Sequence, residues 1–417
     1  MTMTVPTEAT WDFIEANLEA DVRRLALSKA PQNVDLKAAL VQIAGRQVAV
    51  SKLPSWAAVP RLLYPVHLSM EQCTSQAVAG YKAALVREWM ADTPAFRFAD
   101  LTGGFGVDCV FLSRGCGECH YNEMNAGLCG IAAVNFPLLG RSEIRITNGE
   151  ASAFLEQMGP DSLDLVYLDP ARRDASGHKL VSIADCSPDV AAMQDRLLEV
   201  SPRVLVKLSP MLDISKVLGE LSCVSRVMAI AVEGECKELL VFLERGFDHE
   251  PLVQAVGLDG SGIPGPVLSA TVSEERNTPL SMDADGMLLA PGNCLYEPDA
   301  AVMKSGLFHT LSNRWNVAQV GPDSHLFVSS EPVNGFPGRV FRIERVVPFD
   351  KRHAGAFFSE IGKANIAVRN FPLTVSELRQ RFKVSDGGSH YVFATTSGTS
   401  RQKVLIDANR GQVPFTT

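Results

Sequence analysis

The spacing of apolar positions divides the chain into a helical beginning, an alternating middle and a basic end. In residues 1–92, apolar side chains recur at the spacing of one helix face, as at Trp11, Ile14, Leu18 and Val22. Helices with a single apolar face bury that face against a neighbouring element. Residues 1–92 are therefore expected to form a helical N-terminal region.

Residues 93–247 alternate between short apolar runs and segments with helical spacing. Seven runs have the length and composition of strands: Arg97–Leu101, Glu118–Asn122, Glu143–Thr147, Leu163–Leu168, Arg203–Leu208, Arg226–Val232 and Glu238–Leu243. This alternation predicts a mostly parallel sheet covered by helices on both faces, a Rossmann-like α/β fold. The last two runs are too close together for a crossover helix, so we expect six parallel strands and one reversed strand at the end.

The last two segments differ from the sheet region in composition and charge. Residues 248–338 are rich in Gly, Pro and Ser and are expected to form a small mixed module with a linker. Residues 339–417 contain strand-like runs and a helical segment, the outline of a small α+β domain. They carry 13 Lys+Arg against 6 Asp+Glu, whereas the whole chain has a net charge of −8. This asymmetry favours a basic module that binds a polyanion, although a solvated surface can produce a similar excess.

The overall composition is that of a water-soluble globular protein with two or three domains. The chain has 417 residues, of which 46% are hydrophobic and 21% charged. It has no apolar run of membrane-spanning length, and its first residues lack a basic region followed by an apolar stretch, so we expect no secretion signal. Nine cysteines, an odd number, favour a reducing cytoplasm over a disulfide framework. Cys116 and Cys119 form one CxxC without a second pair, so we expect no metal site.

A glycine-rich bend between two acidic residues is the strongest candidate for a ligand site. The first predicted strand ends at Asp100 and enters the bend Thr102–Gly106, and the second strand ends near Glu123. Glycines allow a backbone to approach a ligand closely, and an acid about 20 residues later is placed to bind ribose hydroxyls. Cys109 occupies the third glycine position of a dinucleotide fingerprint, and an acid at Asp100 favours a cationic ligand over a pyrophosphate. An ordinary structural turn is the alternative.

A second acid closes the fourth predicted strand. Asp169 and Pro170 follow the run Leu163–Leu168. Ligands of open parallel sheets bind beyond the carboxyl ends of the strands. There, Asp169 and the Pro170 carbonyl could accept hydrogen bonds from an amino group and orient its lone pair for methylation. An acid that only caps a turn is the alternative.

Taken together and in this order, these motifs resemble those of a class I S-adenosylmethionine-dependent methyltransferase. They are Asp100-Leu-Thr-Gly-Gly-Phe-Gly106, Glu123, Asn148-Gly149-Glu150-Ala151 and Leu168-Asp169-Pro170. The resemblance covers about residues 95–245. It implies that the glycine turn passes the methionine part of the cofactor, that Glu123 holds the ribose and that Glu150 lies near the adenine amino group.

The resemblance also implies a wider set of site residues. The segment before the sheet is similar to a helix that closes over the methionine end of the cofactor. The implied cofactor-binding residues are Gln72, Thr74, Ser75, Asp100, Thr102, Gly103, Gly104, Gly106, Asp108, Glu123 and Glu150. The implied catalytic residues are Asp169, Pro170 and Arg172. Many relatives that methylate amines read Asp-Pro-Pro-aromatic, whereas this chain has Ala171-Arg172, so Arg172 is expected to stack on a base or to hold phosphate.

The basic end resembles a THUMP-like domain, and the segment before it is similar to a small ferredoxin-like module. THUMP domains belong to RNA-modifying enzymes, so the resemblance implies RNA, either tRNA or rRNA, as substrate. The candidate RNA-binding residues are Arg173, Lys351, Arg352, Lys363, Arg369, Arg379, Arg381 and Lys383. Alternatives are an RNA-binding protein with a vestigial methyltransferase fold, or a methyltransferase of DNA or of a small molecule. A nicotinamide-dependent oxidoreductase is disfavoured by Cys109.

Overall fold

The computed structural model describes residues 5–29, 31–172 and 182–410. Within it the chain forms two compact units. The first unit comprises Met1–Arg226, Glu238–His249 and Leu258–Ile263, and the second comprises Val227–Lys237, Glu250–Gly257 and Pro264–Thr417.

Helices form the N-terminal region, as predicted. They are α1 (Glu8–Ala16), α2 (Val22–Ala26), α3 (Leu36–Lys52), α4 (Pro54–Ala57), α5 (His67–Gln72) and α6 (Gln76–Trp89). The apolar repeat that begins at Trp11 is not one continuous helix, because α1 ends before Asn17 and Asp21 caps the separate helix α2. Trp11 and Ile14 are buried, whereas α2 has no buried residue. Spacing alone did not show this break.

The middle of the chain folds into the predicted sheet with helices between its strands. The strands are β1 (Arg97–Asp100), β2 (Glu118–Glu123), β3 (Arg145–Asn148), β4 (Leu165–Leu168), β5 (Ala171–Arg172), β6 (Cys186–Ser187), β7 (Arg203–Leu208), β8 (Val224–Val232) and β9 (Glu235–Glu244). The helices are α7 (Val107–Leu112), α8 (Ala126–Leu138), α9 (Ala151–Glu156), α10 (Val190–Val200) and α11 (Ile214–Glu220), with a 3₁₀ turn at Ile183–Asp185.

Seven of these strands lie side by side in the order β8-β9-β7-β4-β1-β2-β3. Strand β1 pairs in parallel with β2 and β4, and β4 pairs in parallel with β7. Strand β9 is antiparallel to β7, so the predicted reversed strand exists and lies between β7 and β8. A tight turn at Glu233 and Gly234, both with positive φ, reverses the direction of the chain between β8 and β9. The Rossmann-like α/β prediction is confirmed.

The carboxyl ends of β1, β2 and β4 meet at one edge because these strands are neighbours and parallel. All four residues of β4 are buried, as expected for a central strand covered on both faces. Strand β1 separates β2 from β4, so the loops after all three strands leave the sheet close together. This arrangement positions Asp100, Glu123 and Asp169 for a common site.

The second unit contains the remaining elements. They are β10 (Leu252–Leu258), β11 (Leu268–Thr271), α12 (Val272–Asn277), β12 (Cys294–Pro298), α13 (Ala300–Ser305), α14 (Phe308–Trp315), β13 (Ala318–Gln319), β14 (Phe327–Ser329), β15 (Gly338–Pro348), α15 (Lys351–Ile361), β16 (Lys363–Val368), α16 (Val375–Phe382), β17 (Ser385–Asp386), β18 (His390–Ser397) and β19 (Gln402–Asn409). Eight strands form one sheet in the order β13-β14-β12-β15-β19-β18-β16-β17. The segments before and after residue 338 therefore contribute strands to the same sheet.

A group of buried charges connects helices α6 and α7 with the first unit's sheet. The Lys82 ammonium lies 2.8 Å from Asp108 and 3.3 Å from Glu238, and its side chain is wholly buried. Thr74 and Tyr167 donate hydrogen bonds of 2.6 and 2.9 Å to Asp108. Burial alone would raise the pKa of Asp108, but the positive charges of Lys82 and Lys207 and the hydrogen bonds from Lys82 and Thr74 together outweigh it, and the pKa is lowered. These contacts fix α6 and α7 against β4 and β9.

Among the described residues, no helix has both the length and the apolarity that a bilayer span needs.

Replacing Lys82 by Met should destabilise the protein by about 3–5 kcal/mol, because Asp108 and Glu238 would remain buried without their cation. Urea unfolding followed by far-UV circular dichroism measures this loss. Lys37→Met, at an exposed position of α3, is the matched control and should stay within about 0.5 kcal/mol of the parent protein. Equal stability of the two variants would contradict the assigned role of Lys82.

Candidate cofactor and acceptor site

The glycine-rich bend packs tightly against aromatic side chains. A Cβ atom on Gly103 would lie 2.1 Å from the Tyr121 ring, and one on Gly106 would lie 2.7 Å from Phe136. Gly106 also has a φ of +89°, which L side chains rarely adopt. The Tyr121 hydroxyl donates a 2.7 Å hydrogen bond to the Gly104 carbonyl. Internal packing thus explains Gly103 and Gly106, whereas a Cβ on Gly104 would have only the Thr102 carbonyl within 4 Å, at 3.7 Å.

Glu123 joins the loops that follow β1 and β2. Its two carboxylate oxygens accept hydrogen bonds from the backbone N–H groups of Gly104, at 2.9 Å, and Asn125, at 2.7 Å. Each oxygen retains a further lone pair, because a carboxylate has about four acceptor positions. Glu123 is therefore held in place by backbone N–H groups and can still accept hydrogen bonds from hydroxyl groups.

Asn122, which the sequence reasoning missed, joins the loops after β1 and β3. Its amide nitrogen donates to the carbonyls of Leu101, at 3.2 Å, and Gly149, at 3.0 Å. Its side-chain oxygen is buried and has no hydrogen-bond partner among the described residues. Met124, also missed, is 65% exposed beside Glu123. Single exposed apolar side chains are common on protein surfaces, so the sequence held no signal for Met124.

Asp100 is an acid buried beneath the bend. It is 1% exposed, and its carboxylate accepts a 3.0 Å hydrogen bond from the Thr102 N–H. No cationic side chain of the described residues is bonded to it. Burial, together with the nearby Asp108, Asp169 and Glu123, raises the pKa of Asp100 well above its usual value. A cationic ligand group placed near this carboxylate would favour its ionised form.

Asp169 is held by two bonds, one of which the sequence did not indicate. Its backbone N–H donates a 2.6 Å hydrogen bond to the Thr102 hydroxyl. Its carboxylate accepts a hydrogen bond from the ammonium group of Lys207, on the neighbouring strand β7. Thr102 therefore connects the glycine-rich bend directly to the acceptor motif. A lysine within the apolar run Arg203–Leu208 was the only sequence signal for Lys207.

The other predicted cofactor residues occupy different surroundings. Thr74 and Asp108 bond to each other within the buried charge group, so neither is free for a ligand unless that group rearranges. Ser75 caps α6, and Gln72 is exposed on α5. Glu150 is exposed at the start of α9 and, in the part of the chain described, its side chain makes no capping bond. Glu150 is thus available to a ligand at the carboxyl end of β3.

The structure describes Pro170 in full but only the backbone of Arg172, two of the predicted residues that follow Asp169. Pro170 is half-buried directly after β4. The backbone of Arg172 belongs to β5, and its side chain lies outside the described part. Arg173 lies outside the described residues altogether.

The predicted RNA-binding residues of the second unit fall into two groups. Five have exposed side chains: Lys351, Arg352, Lys363, Arg381 and Lys383. Arg369 instead pairs with the buried Glu297 at 2.8 Å, and Arg379 bonds to Asp386 and to the Ala364 carbonyl. These two arginines make bonds within the second unit, whereas the other five cations are exposed to solvent.

None of the nine cysteines, all of which lie in the described ranges, forms a disulfide bond. Over the described ranges, no cluster of three or more His, Cys, Asp or Glu residues is arranged to hold a metal ion.

Comparison with known proteins gives two family matches and one similarity over nearly the whole chain. Residues 338–410 match a THUMP domain-like family, and residues 295–337 match a ferredoxin-like domain. Curated protein sequences give no match. The crystal structure of a candidate methyltransferase from Porphyromonas gingivalis W83 is 30% identical, covers 97% of this chain and 98% of its own, and superposes with a TM-score of 0.82.

Two further solved structures have lower similarity to this chain. A type I restriction-modification methyltransferase subunit from Streptococcus thermophilus is 16% identical, with 59% and 61% of the two chains covered and a TM-score of 0.34. A SAM-dependent O-methyltransferase from Thermotoga maritima is 15% identical, with 45% and 74% covered and a TM-score of 0.31. TM-scores this low do not support any inference about the function of this chain.

Gly103→Ala should destabilise the protein by about 1–3 kcal/mol, because the new methyl group collides with the Tyr121 ring. Gly130→Ala is the matched control: it lies exposed in α8, where an added Cβ would have no other atom within 4 Å, and should stabilise the helix by up to about 1 kcal/mol. Thermal unfolding compares the two. A Gly103→Ala protein as stable as the control would show that the bend does not need this glycine for packing.

Proposed function

Because the chain belongs to the family of methyltransferase-fold proteins with C-terminal ferredoxin-like and THUMP-like domains, we propose that it is a class I S-adenosylmethionine-dependent methyltransferase of RNA bases. The proposal depends above all on the position of Thr102. Its N–H group bonds to Asp100 under the cofactor bend, and its hydroxyl accepts from the Asp169 N–H in the acceptor motif. One residue thereby brings the two halves of a transfer site into contact.

The residues at this edge fit S-adenosylmethionine. The cofactor supplies an electrophilic methyl group on a positively charged sulfur and also carries an ammonium group. Asp100, buried and bonded to no described cation, suits those positive charges. Glu123 retains acceptor positions for the ribose hydroxyls, and the exposed Glu150 is available to the adenine amino group. Met124, exposed next to Glu123, is available for apolar contact with the ligand.

The acceptor side of the site positions a nitrogen for methylation. We propose that Asp169 and the Pro170 carbonyl accept hydrogen bonds from an exocyclic amine or a ring nitrogen of the base. Such bonds turn the nitrogen lone pair towards the methyl group, and correct orientation supplies most of the acceleration in a displacement of this kind. Arg172 would hold the base or the neighbouring phosphate.

RNA is the substrate class that the second unit favours. Its THUMP-like match and its five exposed cations both suit binding to tRNA or rRNA phosphates. Lys363 pairs in register with Ser385, two residues beyond Lys383, so these lysines start from adjacent backbone segments. Two cations close together can contact consecutive phosphates.

Asp169→Ala should lower methyl transfer by at least about 10²-fold, because the acceptor nitrogen loses its orientation. Cofactor affinity should stay within a few-fold of the parent protein. Transfer of a tritiated methyl group to RNA and equilibrium dialysis of the cofactor measure the two effects separately. Asp12→Ala, at an exposed position of α1, is the control and should change neither. Loss of cofactor binding with normal transfer per bound complex would contradict the assigned role.

Replacing Lys363 and Lys383 by Gln should weaken RNA binding and reduce its salt dependence, by about 0.7–0.9 in the log–log slope for each phosphate that the protein no longer neutralises. Lys37→Gln is the control for the removal of an exposed positive charge elsewhere. Filter binding over a series of KCl concentrations gives the slopes. Point substitutions are preferred to deletion of residues 339–417, because that segment shares its sheet with strands β12 to β14. An unchanged slope would remove this surface from the proposal.

RNA binding without any cofactor binding or transfer would instead support the vestigial-fold alternative.

A further inference from the structure

Lys207 is placed to control the hydrogen-bonding state of Asp169. It lies on β7, which pairs with β4 up to Leu168, so its side chain emerges beside the residue that follows β4. Its ammonium group bonds directly to the Asp169 carboxylate. The Lys207 side chain is only 14% exposed, so water competes little for this bond. Strand pairing therefore positions the lysine and the aspartate together.

Carboxylates surround the Lys207 ammonium group. Asp169 bonds to it, and the charges of Asp108 and Glu238 act on it from α7 and β9. Burial by itself lowers the pKa of Lys207, but these three negative charges outweigh it and the pKa is raised. Lys207 is thus protonated throughout the physiological range.

Because Lys207 is protonated, the Asp169 oxygen that faces it can only accept a hydrogen bond. An ammonium group has three donors and no acceptor, so the oxygen facing it must act as an acceptor. An ionised carboxylate offers no hydrogen of its own to a substrate. The bond from the Asp169 N–H to Thr102 fixes the backbone as well, which limits rotation of the carboxylate out of this pairing.

We propose, on the basis of the proposed function, that Lys207 is a positioning residue that holds Asp169 as an obligate acceptor, so that the methylated atom is a nitrogen that carries hydrogen. The exocyclic amines of adenine, guanine and cytosine meet this requirement, as do the N1 of guanine and the N3 of uracil. The N1 of adenine and the N7 of guanine do not, since each has a lone pair and no hydrogen to donate.

The transfer balances with these groups. The nitrogen lone pair forms the new N–C bond while the methyl group's S–C bond breaks, its electron pair remaining on sulfur. An exocyclic amine then releases one proton, whereas a ring nitrogen must release its proton as the N–C bond forms, because its lone pair is shared with the ring. Asp169, with a side chain 36% exposed, accepts the proton and passes it to water. No further oxidant, reductant or metal ion is required.

The first test identifies the product. RNA from cells lacking this protein is incubated with the purified full-length chain and methyl-labelled cofactor, digested, and analysed by nucleoside mass spectrometry. Label on an exocyclic amine, or on a ring nitrogen that carries hydrogen in the unmodified base, is expected. Label on adenine N1, guanine N7 or a ring carbon would overturn this inference while leaving the methyltransferase proposal intact. Absence of transfer to any RNA would overturn both.

The second test examines Asp169 without relying on activity. Carbon-13 carboxyl spectra of protein labelled at aspartate, with the Asp169 signal assigned by its loss in Asp169→Asn, report the ionisation state in the cofactor-free chain. The Asp169 signal should have the same chemical shift in the parent protein and in Lys207→Arg and a different one in Lys207→Met, because only Met removes the cation to which the carboxylate is bonded. A protonated Asp169 in the parent protein at neutral pH, or no difference between Arg and Met, would overturn the inference.

In the transfer assay, the same variants distinguish a role of Lys207 in positioning Asp169 from a role in stabilising the fold. Lys207→Met should lower kcat at least tenfold with KM for the cofactor within about threefold, and Lys207→Arg should recover most of the loss because the cation is restored. Lys37→Met serves as the matched control. A kcat that Lys207→Arg does not recover in a folded protein would contradict a positioning role.

Discussion

The buried charges beneath the carboxyl edge of the first sheet are the constraint on which the site depends. Removing an ion from water costs several kcal/mol unless a partner of opposite charge is held close to it. Lys82 meets this requirement for Asp108 and Glu238, and Lys207 meets it for Asp169. Each pair joins elements distant in sequence, so helices and strands must assemble correctly before any charge is satisfied. These ion pairs therefore also fix the positions of the loops at this edge of the sheet.

The same edge is organised by side chains that bond to backbone groups. Glu123 binds N–H groups of the loops after β1 and β2, Asn122 joins the loop after β1 to the loop after β3, and Thr102 connects the bend to the acceptor motif. These bonds are made between groups of the protein itself, so the chain's own side chains hold the loops of this edge in position. Preorganised groups need little rearrangement when a substrate arrives, which is how a positioning site contributes to rate.

The sheet could be predicted from sequence because its central strands are buried on both faces and read as short apolar runs. That Asp100, Glu123 and Asp169 lie near one another could be predicted, because strand ends in a parallel sheet meet at one edge. Lys207 and Lys82 could not be identified, since a lysine in an apolar segment gives no sign of which carboxylate it meets. Asp108 follows the glycine-rich bend, where a cofactor-binding residue would be expected. Its side chain instead pairs with Lys82, which lies 26 positions upstream on α6. Long-range pairing of buried charges is the information that local patterns lack.

A crystal of the protein soaked with S-adenosylhomocysteine, the demethylated cofactor, tests the central claim most directly. The account predicts density along the carboxyl edge of the first sheet, with the ribose at Glu123, the adenine near Met124 and Glu150, and the amino group close to Asp100. Density at another location, or none at a saturating concentration, would contradict it.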